Sequence, residues 1–150
     1  MSQRPKKTPA TPGEWNALGR YFFQNRVFGL AVGAFSTAVR SRPENEIYQR
    51  NLGVALLEMG DYRRALQHLN KALELNPGSS KTHYYVGLAY AKQQKFDKAR
   101  DFYQKVLELK QDQHWEDLAR EKLLLLERGM ADDLEYLDWA FKGILERRKW

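Results

Sequence analysis

Residues 52–77, LGVALLEMGDYRRALQHLNKALELNP, carry two apolar stripes separated by the short segment MGDY. Within each half the apolar residues recur at three- and four-residue steps, the period of a helix that buries one face. The segment therefore predicts a helix, a tight turn and a second helix that stops before Pro77. The same pattern occurs on either side of it. The apolar-glycine pairs Leu18-Gly19, Leu52-Gly53 and Val86-Gly87 are spaced 34 residues apart. Ala31, Ala65 and Ala99 keep that spacing, as do Phe35, Leu69 and Tyr103, then Ala38, Ala72 and Val106, and Phe22, Leu56 and Tyr90. Pro43 and Pro77 close the first two units, with Gln111 in that place in the third. A single helix pair cannot bury its own apolar stripe, so a constant period predicts hairpins that stack into one continuous core.

In residues 12–45 the positions Trp15, Leu18, Gly19, Phe22, Ala31, Phe35, Ala38 and Pro43 follow a known repeat almost place for place. The chain resembles the tetratricopeptide repeat family. The resemblance covers residues 12–113 as three units, 12–45, 46–79 and 80–113, without gaps. It implies an all-α superhelix, an α-solenoid of antiparallel hairpins. Gly19, Gly53 and Gly87 are expected where the first helix of each unit crosses its neighbour closely, and Ala31, Ala65 and Ala99 serve the same purpose on the second helix. In MGDY, Gly60 suits a positive φ and Asp61 a helix N-cap; QKFD, residues 94–97, is expected to be the equivalent turn of the third unit.

Residues 114–150 leave the register. WEDLAREKLLLLERG, residues 115–129, predicts a helix whose Leu118, Leu123, Leu124, Leu125 and Leu126 cover most of its circumference and which is buried on two sides. Residues 131–150 predict another helix, starting near Asp132 or Asp133. Leu134, Leu137, Phe141, Ile144 and Leu145 share one face, and Arg147, Arg148 and Lys149 suit its C-terminal end. Together they are expected to form a degenerate fourth unit or capping hairpin, with Trp139 and Trp150 expected to be partly buried; exposed together off the stripe, they would mark a contact surface.

Composition narrows the function. The formal net charge is +6, and residues 1–50 hold eight Lys/Arg against three Asp/Glu. That balance favours anionic partners. There is no cysteine, hence no disulfide framework. Residues 1–11 are expected to be a flexible basic tail, with no signal-peptide core after them. The longest apolar stretch, VFGLAVGAF at 27–35, is too short to span a bilayer, and the expected location is the cytoplasm. His68, His83 and His114 are isolated in sequence, GLAVGAF at 29–35 lacks the Lys of a phosphate loop, and DDLEYLD at 132–138 lacks calcium-loop spacing. No enzyme activity, cofactor or metal is expected.

The family resemblance implies that the first helix of each unit lines a concave groove. In the 34-residue register the groove positions are Asn16, Arg20 and Phe23, then Arg50, Asn51, Val54 and Leu57, then Lys81, Tyr84, Tyr85, Leu88 and Lys92, with Trp115 at the far end. Cations, amides and rings in one groove suit an extended acidic polypeptide. Some members of the family hold the acidic C-terminal tails of chaperones in a carboxylate clamp. Asn51 and Lys81 match that pattern, whereas Asn16 stands in place of Lys, Arg20 in place of Asn and Tyr85 in place of Arg. The expectation is a non-enzymatic adaptor, co-chaperone or assembly factor that binds an acidic segment. The alternatives are an RNA-binding helical repeat, disfavoured because three units cover few bases, and a scaffold that self-assembles through its C-terminal helices.

Overall fold

Three side-chain caps set the phase of the structure. Thr11, Asn45 and Ser79, again 34 residues apart, each accept a hydrogen bond from the backbone N–H three residues on. Each satisfies a donor that the helix itself cannot. The computed structural model describes residues 8–129. From these caps run α1 (Pro12–Gln24), α3 (Glu46–Glu58) and α5 (Ser80–Lys92). Each is followed by its antiparallel partner: α2 (Phe28–Ser41), α4 (Tyr62–Leu75) and α6 (Phe96–Leu109). A final helix, α7 (Gln113–Glu127), opens on Asp112, whose carboxylate accepts from the His114 N–H at 2.9 Å. Among the described residues there is no strand, and no helix is long and apolar enough to cross a membrane.

The turns inside the hairpins repeat too. Arg26, Gly60 and Gln94 occupy one equivalent position, and all three have left-handed backbone, with φ of 61°, 80° and 61°. Only the second unit uses glycine there, so the first and third carry the strain of a side chain in that conformation. The third turn lies one residue earlier than QKFD suggests: Gln94 takes the place of Gly60, and Lys95 that of the capping Asp61, without its side-chain hydrogen bond.

Close approach within each hairpin comes from the glycines of α1, α3 and α5. A Cβ built on Gly53 would lie 2.7 Å from Leu69 Cγ and 3.1 Å from the Ala65 carbonyl oxygen; on Gly87 it would meet the Tyr103 ring at 2.7 Å. Leu69 and Tyr103 are fully buried, as are Ala65 and Ala99 on the same helices. Successive hairpins then stack. α1 touches α3, α3 touches α5 and α5 touches α7, whereas α2, α4 and α6 do not touch one another. The first helices therefore lie on the inner side of the curve.

Polar side chains tie the start of the first helix to the end of the second within a unit. Asn76 Nδ2 donates to Glu46 Oε1 at 3.0 Å, and the Ser80 amide and hydroxyl both donate to Gln111 Oε1 at 2.9 Å. Gln111 thus supplies a hydrogen bond where the earlier units have proline. Gln49 Nε2 donates to the Pro43 carbonyl at 2.9 Å, which leaves Gln49 Oε1 to accept from His68 Nδ1 at 2.8 Å.

Two expectations are corrected. α7 begins at Gln113 because Asp112 caps it, and it is not buried on two sides. Only Ala119 and Leu126 are buried, Leu118, Leu123 and Leu125 are half-buried, and Leu124 is 46% exposed. Among the described residues it meets α5 and α6. The proposed helix at 131–150, with Asp132, Asp133, Trp139 and Trp150, most of the basic tail, and any self-association through those C-terminal residues lie outside the described residues.

Gly53→Ala is expected to destabilise the chain by about 1–3 kcal/mol, because Leu69 and the α4 backbone must shift to admit the methyl group. Gly33→Ala, with nothing near its Cβ position, is expected to be neutral or to stabilise by up to about 1 kcal/mol through helix propensity. Urea denaturation of both variants checks the contrast, and equal effects would contradict it. A second expectation concerns pH. Burial, and then the like charge of Arg64, hold His68 below the usual imidazole range. The unfolded chain therefore binds more protons there, so this contribution to stability is present above about pH 6.5 and is lost as pH falls through the folded value. His68→Gln is expected to flatten the decline of Tm on acidification, and parallel Tm curves for the two proteins would refute the assignment.

Candidate functional site

On the inner face a cavity of about 150 Å³ is lined by Arg20, Phe23, Gln24, Phe35, Asn51, Val54, Lys81 and Tyr85. These residues come from α1, α2, α3 and α5, so the site exists only because the hairpins stack. Phe23, Phe35 and Val54 give it an apolar wall; Arg20, Asn51 and Lys81 give it polar tips. Arg50 lies beside it, within electrostatic reach of both Lys81 and Tyr85.

The charges here are unusual for what they lack. Ion pairs such as Arg64–Asp61, Arg100–Asp97 and Arg120–Glu116 lie on α4, α6 and α7. Arg20, Arg50 and Lys81 form none among the described residues. The Nε of Arg50 is buried and has no hydrogen-bond partner. Burial lowers the Arg50 pKa, against the opposing pull of Glu46 and Tyr85. Burial also lowers that of Lys81, and the like charges of Arg50 and Arg20 lower it further. Burial raises the Tyr85 phenol, helped by Glu58 and opposed by Arg50. Cations without an ion-pair contact in a half-buried groove cost stability, and Glu46, within electrostatic reach of Arg50, offsets only part of the positive charge.

Two amides bridge the first two units. Asn51 Nδ2 donates to Asn16 Oδ1 at 2.9 Å, so one amide hydrogen of Asn51 is already engaged. At the C-terminal side the rings of Tyr84, Tyr85 and Trp115 form a mutual cluster with centroids 5.4–5.6 Å apart. The Lys81 ammonium stands 5.6 Å from the centre of the Trp115 ring, an attractive cation–π distance. Lys81 thus joins the polar cavity to the aromatic wall.

The positions expected from sequence separate into three groups. Arg20, Phe23, Asn51, Val54, Lys81 and Tyr85 meet at the cavity, with Asn16 and Arg50 at its edge. Tyr84 and Leu57 are instead core: Tyr84 is 7% exposed and packs against Tyr103 and Trp115, and Leu57 is 5% exposed. Tyr84 is covered by Trp115 of α7, and Leu57 packs in the cluster with Phe35, Leu56 and Ala89. Leu88 packs into the core from the side, and Lys92 lies on the last turn of α5, away from the cavity lining. Sequence reasoning missed Gln24 and Phe35. Gln24 follows Arg20 by one helical turn and carried that signal; Phe35 was read only as core, although one edge of its ring reaches the cavity wall. No group of acidic, histidine or cysteine side chains among the described residues could hold a metal ion.

Comparison with known proteins agrees with this architecture. The tetratricopeptide repeat family profile matches residues 16–80 and 51–114. The chain is 25% identical over 115 residues to small glutamine-rich tetratricopeptide repeat-containing protein 2 of Saccharomyces cerevisiae, covering 77% of this chain and 33% of that protein. It is 25% identical over 115 residues to the E3 ubiquitin-protein ligase CHIP of Arabidopsis thaliana, covering 71% of this chain and 41% of the ligase. The chain therefore spans a third to two fifths of the length of these relatives. Among solved structures, the P58(IPK) TPR domain superposes with a TM-score of 0.70 at 26% identity, over 78% of this chain and 33% of that one. The first TPR of Spaghetti (RPAP3), bound to HSP90 peptide SRMEEVD, superposes with a TM-score of 0.69 at 21% identity, over 78% of this chain and 94% of that one. Such repeats are generally non-enzymatic protein-interaction modules. With three capped hairpins in one register and a profile match across them, this chain belongs to the tetratricopeptide repeat family.

Proposed function

We propose that this chain is a non-enzymatic adaptor that binds an extended acidic segment of another protein along α1, α3 and α5. The observation that carries this is the cluster of Arg20, Arg50 and Lys81 on the inner face, with no ion pair among them and a buried Arg50 Nε without a partner. An incoming carboxylate supplies the missing charge and the missing acceptor together. Charge-assisted hydrogen bonds contribute about 1.5–3 kcal/mol each, and in a half-buried groove they are screened less than at the surface. Phe23, Val54 and Tyr85 add apolar area for flanking side chains at small entropic cost. The same fold in the Spaghetti (RPAP3) structure was solved with SRMEEVD, so this architecture can hold a peptide rich in acid. The match to the carboxylate clamp stays partial, since Arg20 and Tyr85 replace the Asn and Arg of that pattern, and no chaperone tail is assigned as the ligand. An RNA partner fits less well because the cations converge on one cavity rather than tracking a strand.

Two expected outcomes test this. Lys81→Glu preserves the helix, because an acid in the first turn of α5 suits the helix dipole, and it is expected to weaken binding of a labelled Asp/Glu-rich peptide about tenfold or more. Calorimetric titration checks it, with a Lys/Arg-rich peptide as control, and unchanged affinity would remove the groove assignment. Arg50→Met is expected to raise Tm while weakening the same peptide, because it removes a half-buried charge that makes no ion-pair contact, along with a ligand contact. A lower Tm with unaltered binding would show that Arg50 is a structural residue.

A further inference from the structure

We propose that the anionic group seated by Arg20, Arg50 and Lys81 is a phosphorylated side chain of the bound polypeptide. This rests on the groove being the peptide site and names the chemistry that fills it.

The first ground is charge. Arg20 and Lys81 line the cavity and Arg50 stands at its edge, and none of the three has a carboxylate in ion-pair contact among the described residues. One carboxylate neutralises one of them. A phosphoryl group carries close to two negative charges at neutral pH and three strong acceptor oxygens. The second ground is the kind of donor. Two of the three cations are guanidinium groups, whose planar forks suit phosphate oxygens better than a single ammonium does. One amide hydrogen of Asn51 is already taken by Asn16 Oδ1, which leaves guanidinium and ammonium N–H groups, among them the unpartnered Arg50 Nε, as the principal donors for a ligand. The third ground is shape. The cavity, about 150 Å³, is enclosed on one side by Phe23, Phe35 and Val54. That is room for one headgroup and its short stem, not for a row of carboxylates. A nucleic-acid strand presents phosphates at regular intervals, whereas these cations gather at a single point. Burial, and then the like charges of Arg50 and Arg20, disfavour the Lys81 ammonium, and a dianion offsets that repulsion most.

The test uses the full 150-residue chain, immobilised, against a degenerate library of N-acetylated, C-amidated peptides with a fixed central phosphoserine. The same library after phosphatase treatment, a library ending in aspartate with a free carboxylate, and an oligouridylate are the comparison probes. Peptides retained by the wild type are resynthesised in phosphoserine, serine and glutamate forms and titrated by calorimetry. The phosphoserine form is expected to bind at least about tenfold tighter than either twin, consistent with two or more charge-assisted hydrogen bonds. That advantage is expected to vanish in Arg50→Gln. Because the second phosphate pKa lies near 6, affinity is also expected to fall about fourfold between roughly pH 7.5 and roughly pH 5.5, with no such fall for the aspartate-terminated peptides. If glutamate or aspartate-terminated peptides bind as tightly as phosphoserine, the phosphate assignment is overturned while the acidic-peptide groove stands. If no peptide binds, or if oligouridylate binds more tightly and loses affinity in Arg50→Gln, both are overturned.

Discussion

The close crossing inside each hairpin governs everything else. At Gly19, Gly53 and Gly87 the first helix has no side chain, and Phe35, Leu69 and Tyr103 of the second helix fill that space, with distances that leave no room for a Cβ. A crossing this tight fixes the angle between the two helices through interlocking side chains rather than through the loop. With the angle fixed, the next hairpin can bury its own stripe only by docking in the same orientation. The period of 34 residues, the shared caps at Thr11, Asn45 and Ser79, and the recurring left-handed residue at Arg26, Gly60 and Gln94 are consequences of that one geometry repeated.

Stacking of this kind produces the groove without any residue being devoted to shaping it. Because α1, α3 and α5 lie on the inside of the curve, side chains one or two turns from each cap converge. Arg20, Arg50 and Lys81 are brought together from sequence positions far apart, and Asn16 and Asn51 meet across a unit boundary. The outer helices show the opposite electrostatics. Their charges pair locally, three residues apart, on exposed surface, where such pairs contribute little. The inner face keeps cations unpaired under partial burial, which disfavours the free state and favours one with an anionic partner in place. A scaffold that tolerates a local cost at its binding surface can do so because the cores around Phe35, Leu69 and Tyr103 are filled.

Much of this was legible in the sequence, because helical phase is a one-dimensional property. The apolar-glycine pairs and the alanines placed the crossings, and the register put Arg20, Asn51, Val54, Lys81 and Tyr85 on the inner face. What the sequence could not convey was depth. Tyr84 and Tyr85 are neighbours in the same helix, yet the first is sealed under Trp115 and the second reaches the cavity, a difference set by how closely α7 docks. Phe35 has a double role for the same reason: it packs against Gly19 and also lines the cavity. Arg26 and Gln94 hid the first and third turns, since neither residue type advertises a left-handed backbone. The Asn16–Asn51 bridge needed the packing of two units before either partner could be assigned.

The most direct measurement of the central claim is a proton–nitrogen NMR spectrum of the arginine Nε–H groups, recorded as an acidic peptide is added. The account predicts that Arg20 and Arg50 shift and exchange more slowly with water, while Arg63, Arg64 and Arg100 on the outer helices stay in place. Shifts confined to those outer arginines, or spread evenly over all of them, would contradict it.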